Sequence, residues 1–551
     1  MNDTVIFLSD FYLNEVRGGA EYCNKALIDL LKKNRKVKCV KSVNVSPSFI
    51  EENKDCFFIV ANFFQLSEEA KEALAGTTYA IYEHDHKYIK SNNPVLWPHF
   101  LAPQSQIINK EFYKNALVTV CQSRKHAEIL QKNLCLNNIS SFGGNIWTPA
   151  QLKILETNLD TEKTIDYATQ KSLNKNKGMP AALQYCKNHK LEFSLLEEAP
   201  FDKFIANLAK VRTLIFFPQW FESYSRIAIE AKILGCKLIT NKLLGAASEP
   251  YFKQSGRELL ETIKSNNENL WTRWDTLIKN NEVECITPLC LPKVSVIVPL
   301  YKGEKYIEGF LKDMEQQTMF HSCELIIINA NSPENEEDFI LPFVERNSNV
   351  LYEKLDYVAS VMETENMAIE MSTGEYIAQA CVDDRHSAES LEILAKQLYF
   401  NPHIDLAYGD CLETRRPNET FDENSSDGQL YEHSQKEFTK ENMIKCLPGP
   451  MPMWRKNIHA KIGVFNPQLR RAGDWEFFLR MVDSGSQFKK VDVPIGLYYH
   501  NSEGLSTAKS GFKDKIKEES IVFDTYRHIF GERNYEMYKS YFHQFDEEAP
   551  Q

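Results

Sequence analysis

No apolar run in this 551-residue chain approaches the ~18–20 residues that a helix needs to cross a bilayer, so no spanning segment is expected. Glycine and proline are sparse, 22 of each, which excludes collagenous or linker-rich sequence. The opening MNDTVIFLSDFYL has neither a basic stretch nor a cleavage-site pattern, so no secretory leader is expected. The 13 cysteines lack the C-x-x-C pairs of a zinc site and read as reduced, cytosolic thiols rather than a disulfide framework. Positive charge is also short, and the chain carries net −12. Residues 1–290 hold 36 Lys+Arg against 32 Asp+Glu, and residues 291–551 hold 28 against 44, so the excess acid lies in the second half. The basic footprint of a general nucleic-acid binder is missing, and no nucleic-acid partner is expected.

What remains is a globular chain, 43% hydrophobic and 25% charged, long enough for three or four domains. Short β-branched runs alternate with helical periodicity, the pattern of α/β folds with parallel sheets. The polar segment KNNEVECITPLCLPK, with two prolines, precedes the buried-strand pattern VSVIVPLY and marks the main boundary. The part before it divides again near 145–160. The expected units are 1–145 and 146–285, two Rossmann-like halves, then 292–507, and a helical, aromatic-rich extension over 508–551. Packing onto the body is the expected role of that extension, with contact to a membrane or partner as the alternative.

In the second half, Asp383 and Asp384 follow the apolar run YIAQACV, at the carboxyl end of an expected strand. They suit a divalent cation, although an adjacent pair of this kind more commonly caps a helix, here the helical pattern SAESLEILAKQL. Asp474 stands ahead of an amphipathic helix, as a base or as helix-start electrostatics. His500 ends IGLYYH, as a ligand or as a structural histidine. In the first half, FPQWFESYSRIAIEAKILGCKLIT predicts a strand ending near Pro218 and a helix beginning close to Glu222. Glu222 and Glu230, eight apart, would then share one helix face.

The blocks SVIVPLYKGEKYIEGFLKDMEQQT, ELIIINANS, TENMAIEMSTGEYIAQACVDD, GDWEFFLRM and YYHNSEGLS, in this order, resemble the family 2 glycosyltransferases of GT-A fold over residues 293–507. The resemblance implies that Pro299 and Tyr301 lie against a nucleotide and that Asn329 takes the position where an Asp commonly meets the base. It makes Asp383 the holder of Mn²⁺ or Mg²⁺ on the donor diphosphate, beside Asp384, with His500 completing the site and Asp474 as catalytic base. Cys381 replaces the first carboxylate of the usual acidic motif, and Gly473 replaces the Glu that often precedes the base.

RGGAEYCNKAL, EHDH, VTVCQSRKHAEIL, KSLNKNKGMPAAL and ESYSRIAIEA resemble the family 4 glycosyltransferases of GT-B type over residues 1–285. By that resemblance Glu230 binds the donor ribose and Glu222 the donor sugar. Lys171 and Lys177 approach the phosphates, Gly18 and Gly19 admit the ligand to the backbone, and His84 or His86 lies near the sugar.

The expected fold is therefore a GT-B-like pair of Rossmann-like domains followed by a GT-A nucleotide-diphospho-sugar transferase domain and a helical tail. The expected function is a bifunctional, nucleotide-sugar-dependent hexosyltransferase extending a surface polysaccharide, lipopolysaccharide or glycoprotein glycan. Its second site would be inverting and metal-dependent, its first retaining and metal-free. The alternatives are a single-activity enzyme whose first half binds glycan or acts as scaffold, and a non-enzymatic carbohydrate-binding protein. A nucleotidyltransferase would need a Gly-rich basic loop after the first strand, and PLYKGEKYI offers only Gly303. The partners are a nucleotide sugar and an acceptor glycan. The expected location is cytoplasmic, and a lipid-linked acceptor would bring the chain to the inner face of a membrane.

Overall fold

In the computed structural model, which describes residues 4–16, 18–287, 290–505 and 507–545, the chain divides into two units, residues 1–289 and 290–551. In the first, the β-branched runs form β1 (Thr4–Ser9), β2 (Lys36–Lys41), β3 (Phe57–Val60), β4 (Thr78–Glu83), β5 (Val118–Cys121) and β6 (Ile139–Ser141). They pair in parallel in the order β2-β1-β3-β4-β5-β6. A second parallel sheet holds β7 (Ile165–Gln170), β8 (Ser194–Leu196), β9 (Val211–Phe216) and β10 (Lys237–Thr240), in the order β10-β9-β7-β8. The 25-residue helix Gly256–Asn280 ties the two together. Its Leu259, Leu260 and Ile263 enter the core of the second sheet, and its Leu270, Trp274 and Leu277 enter that of the first. This is the GT-B-like pair of Rossmann-like sheets that the resemblance implies. None of the 13 cysteines is in a disulfide.

One local expectation fails. The helix expected near Glu222 starts only at Arg226, after Ser225 at φ +80°, a backbone region that turns the chain away from helical continuation. Glu222 lies in the preceding loop, where its N–H donates to the Leu243 carbonyl at 2.9 Å. Only Glu230 is helical, so the two glutamates share no helix face.

The second unit contains β11 (Val294–Leu300), β12 (Cys323–Asn329), β13 (Val350–Lys354), β14 (Tyr376–Gln379), β15 (Arg385–His386), β16 (Leu406–Thr414), β17 (Met453–Arg455) and β18 (Phe488–Tyr499). They form one eight-stranded sheet in the order β13-β12-β11-β14-β17-β16-β18-β15. The first four are mutually parallel, and β17 runs antiparallel to β14 and β16. The strand order reverses at β11, between β12 and β14. Crevices outside the carboxyl ends of strands at such a reversal are where α/β sheets bind ligands.

Each face of this sheet buries its own core. Helices Glu304–Glu315 and Ser390–Phe400 cover one through Ile307, Phe310 and Leu394. Helix Gly473–Asp483 and the C-terminal helices Phe512–Thr525, Arg527–Phe530 and Glu532–Phe542 cover the other. The aromatic content of the tail is used there: Phe523 stacks on Phe530, Tyr535 and Phe542 at 5.7, 4.6 and 4.4 Å between ring centres. Trp475 stacks on Phe530 and Phe542 at 6.0 and 5.6 Å. Fully burying a Phe stabilises by about 1.5–3 kcal/mol, so the tail is an integral part of this unit. Among the described residues no helix is long and apolar enough to cross a membrane.

Candidate active site

An open cleft of about 1310 Å³ lies at the carboxyl edge of β11 and β14. Pro299, near the end of β11, and Tyr301, just beyond it, form part of its wall, and Tyr301 is 45% exposed. Helix Val361–Met371 presents its first turn to the same space. It starts there because Ser360 and Glu363 form a reciprocal capping box: the Ser360 hydroxyl accepts from Glu363 N–H, and the Glu363 carboxylate accepts from Ser360 N–H at 2.7 Å.

The acidic pair does not cap the helix that follows, which starts at Ser390 after Glu389. Asp384 is buried, and its carboxylate accepts the N–H of Tyr499 at 3.0 Å, tying the loop after β14 to the end of β18. Burial, reinforced by the neighbouring Asp383 charge, pushes its carboxyl well up. Asp383 is half-buried and accepts a hydrogen bond from the Asn501 amide at 3.1 Å. The Cys381 sulfur and one oxygen from each aspartate lie within 4.8 Å of one another. Burial and the two aspartates raise the Cys381 thiol well above its ordinary value, so it stays a neutral thiol while the oxygens remain the donors that suit a hard cation. His500 stands outside that cluster, 44% exposed, with Nδ1 3.7 Å from the Glu413 carboxylate. Its neighbour Asn501 is the residue that reaches Asp383.

Asp474 faces the cleft from the first turn of helix Gly473–Asp483. Its carboxylate accepts Trp475 N–H at 2.7 Å, and the Cys446 sulfur is 4.0 Å away. Burial raises its carboxyl, against the Trp475 hydrogen bond and the Lys515 charge. A side chain at Gly473 would require the Met362 thioether to move. Asn329 is not on the cleft wall. It is fully buried, accepts from Ser332 N–H at 2.7 Å and donates to the Tyr352 hydroxyl at 3.1 Å, while the adjacent Ala330 faces the cleft.

Three neighbours of the candidate site carry no signal in the sequence. Lys515 and Glu519, from the first tail helix, line the cleft beside Asp474. As a Lys/Glu pair four apart they carry no signal that separates them from a solvated helix face. Glu365 is fully buried, accepts from the Gln379 amide at 2.7 Å and leaves its other oxygen without a hydrogen-bond partner. Burial pushes its carboxyl up to about 8, against the Gln379 hydrogen bond and with the Asp474 charge adding. The folded protein thus holds a proton on Glu365 that the unfolded chain releases from about pH 4.5 upward. Stability should therefore fall between about pH 4.5 and 8, by at most ~1.4 kcal/mol per pH unit. Glu365→Gln removes this loss, so its melting temperature should match wild type near pH 4 and exceed it increasingly up to pH 8. Parallel melting curves across that range would expose a constant offset instead.

In the first unit, Lys177 Nζ sits 2.8 Å from the Glu222 carboxylate. Burial opposes the Lys177 charge, but Glu222 and then Asp85 hold the ammonium above its ordinary value. Glu230 is buried, accepts from the Trp147 indole at 3.0 Å and lies 3.5 Å from the Arg226 guanidinium. Lys171 pairs with Glu197 at 2.9 Å on the surface. His84 is buried, with Nε2 2.7 Å from the Asn24 side-chain oxygen, and burial drives its imidazole well below its ordinary value. His86 is buried against Tyr88 and His126, with Nε2 unpartnered. Gly18 precedes helix Gly19–Leu31, and a Cβ on Gly18 would strike the Glu21 carboxylate.

Residues 295–463 match Glycosyl transferase family 2. The second unit carries a family 2 glycosyltransferase domain. Asp383 and Asp384 fall inside the matched span of the family 2 domain, and Asp474, His500 and the tail helices fall beyond it. The uncharacterized glycosyltransferase EpsJ of Bacillus subtilis is 23% identical over 233 residues, covering 39% of this chain and 63% of the relative. An uncharacterized glycosyltransferase of Haemophilus influenzae is 26% identical over 208 residues, covering 37% and 66%. The chain thus spans just under two thirds of the length of these relatives. Among solved structures, Staphylococcus aureus TarS in complex with UDP-GlcNAc aligns with TM-score 0.37 and 17% identity, over 46% of this chain and 73% of that one. The mannosyltransferase PcManGT of Pyrobaculum calidifontis, in complex with GDP-Man and Mn²⁺, aligns with TM-score 0.35 and 14% identity, over 50% and 78%.

Proposed function

We propose that the family 2 domain transfers a sugar, with inversion, from a nucleotide-sugar donor to a hydroxyl of a growing glycan: a surface polysaccharide, lipopolysaccharide or glycoprotein glycan. The observation that carries this reading is that Asp474 and the Asp383–Asp384 pair open onto one cleft at the strand-order reversal. Asp474 removes the proton of the acceptor hydroxyl. The oxygen attacks the anomeric carbon from the face opposite the diphosphate, and the bonding electrons leave with the nucleoside diphosphate. The raised carboxyl of Asp474 suits a base.

Asp383 offers a half-buried carboxylate to the cleft, and Asp384, fixed by Tyr499, orients the loop that carries it. These oxygens fit Mn²⁺ or Mg²⁺, which when bound would neutralise charge on the leaving diphosphate. Pro299 and Tyr301 flank the nucleotide, and with Asn329 committed to its turn, reading of the base falls to the exposed cleft wall. Release of nucleoside diphosphate from a panel of nucleotide sugars, with and without Mn²⁺, tests this function; no release from any donor would refute it.

The same reading extends to a bifunctional chain in which the first unit performs a retaining, metal-free transfer. Lys177 beside Glu222 supports that extension, as a cation available to a phosphate next to a carboxylate for the sugar. A single activity, with the first unit binding glycan or acting as scaffold, is favoured by the commitment of Glu230 to Trp147 and Arg226, of Lys171 to Glu197 and of His84 to Asn24. The double variant Glu222→Gln/Glu230→Gln separates them. A bifunctional enzyme should lose one of two linkages in its product, and a scaffold should keep the product unchanged. A lipid-linked acceptor would place this chemistry at the inner face of a membrane.

A further inference from the structure

The wall of the cleft beside Asp474 is not made by the family 2 match but by the tail. Lys515 and Glu519, one helical turn apart, face the cleft with 27% and 17% of their side chains exposed and 3.7 Å between their charged ends. Tyr541 lines the same wall from the last helix, with 47% of its surface exposed, whereas Phe523, Phe530, Tyr535 and Phe542 of the tail are buried in the core. We propose that the C-terminal helices form the acceptor subsite of this cleft. In it a neutral sugar ring stacks on Tyr541, and Lys515 and Glu519 bind its hydroxyls so that one of them reaches Asp474. This rests on the transferase reading above and names the substrate class of the same site.

The chemistry favours an uncharged saccharide. An open aromatic ring next to a donor–acceptor pair matches a ring with one apolar face and a rim of hydroxyls. Lys515 is already offset by Glu519, and Lys445 is paired with Glu432 at 3.0 Å on the same wall. Asp474 and Glu363 are offset by Arg470 and Arg471 on the same wall, so this end of the cleft carries no net charge that would draw in a carboxylate or phosphate on the acceptor. Burial raises the Glu519 carboxyl to about 7, against the Lys515 charge and with the Asp474 charge adding.

The test uses the full-length chain with Mn²⁺ and two probe sets: UDP and GDP for the donor end, and methyl β-glycosides of glucose, galactose and N-acetylglucosamine against methyl β-glucuronide for the acceptor end. Saturation-transfer NMR should show binding of at least one neutral glycoside and weaker binding of the glucuronide. Tyr541→Ala and Glu519→Gln should each weaken the neutral glycoside at least fivefold with nucleotide affinity retained, and Lys515→Met should act in the same direction. The proposal is overturned if no neutral glycoside binds, if the glucuronide binds as well, if the variants leave glycoside binding intact, or if they weaken nucleotide and glycoside alike. Failure of the transferase reading looks different: glycosides would bind through the tail, but no nucleotide sugar would be cleaved.

Discussion

Asp474→Asn is expected to reduce sugar transfer by about 10²–10⁴-fold, the usual contribution of a positioned general base, while donor affinity stays within about twofold. The substitution keeps the local structure, because an amide oxygen can accept the Trp475 N–H as the carboxylate does. What it removes is the only thing the mechanism asks of this side chain, the capacity to take a proton. Steady-state transfer kinetics combined with calorimetric titration of the nucleoside diphosphate would check both halves of this expectation. Turnover like that of wild type would remove Asp474 from the mechanism. The pH dependence has a defined sign. Burial raises the Asp474 carboxyl above the ordinary aspartate range, and only the ionised form is a base. Transfer should therefore rise with pH along an acid limb shifted upward from that range, and this limb should vanish in the residual rate of the asparagine variant.

Asp383→Asn should abolish the response to Mn²⁺ and lower transfer by about 10²-fold or more, since a cation on a leaving diphosphate contributes several kcal/mol. The amide can still accept from Asn501, which now meets Asp383 at 3.1 Å, so a loss reflects charge rather than a collapsed loop. Titrating Mn²⁺ against nucleoside-diphosphate release in both proteins reads it directly. An unchanged metal response in the variant would move the cation away from Asp383. His500→Ala is the informative companion: its imidazole leans toward Glu413 rather than the aspartates, so a large loss of metal affinity there would require the loop to rearrange on binding.

Much of the second unit was legible because period and order survive in one dimension. The apolar runs that become β11, β12 and β14 are buried on both faces, which favours a near-continuous apolar sequence over an alternating one. The carboxylates follow those runs directly, so their place at a strand's end could be read from neighbours alone. The first unit shows where such reading stops. Glu222 and Glu230 have helical spacing, but Ser225 takes a left-handed backbone and pairing with residues 243–244 holds Glu222 in a loop. Nothing local announces that conformation at a serine. Asn329 is a related case: its residue type suits a ligand contact, but the turn after β12 takes its amide oxygen and Tyr352 of β13 accepts from its amide nitrogen.

By itself, then, the sequence determined that this is an α/β chain with an acidic pair at a sheet edge and an aspartate opening a late helix, because hydrophobic period and strand-end position are properties of neighbours along the chain. Only the tertiary structure decided that these carboxylates share a cleft, that Glu365 is sealed beneath it, that Asn501 rather than His500 meets Asp383, and that Lys515, Glu519 and Tyr541 close its far wall. Those contacts join segments tens to more than a hundred residues apart. They are set by how helices pack on the two faces of a twisted sheet, and no local pattern encodes that packing.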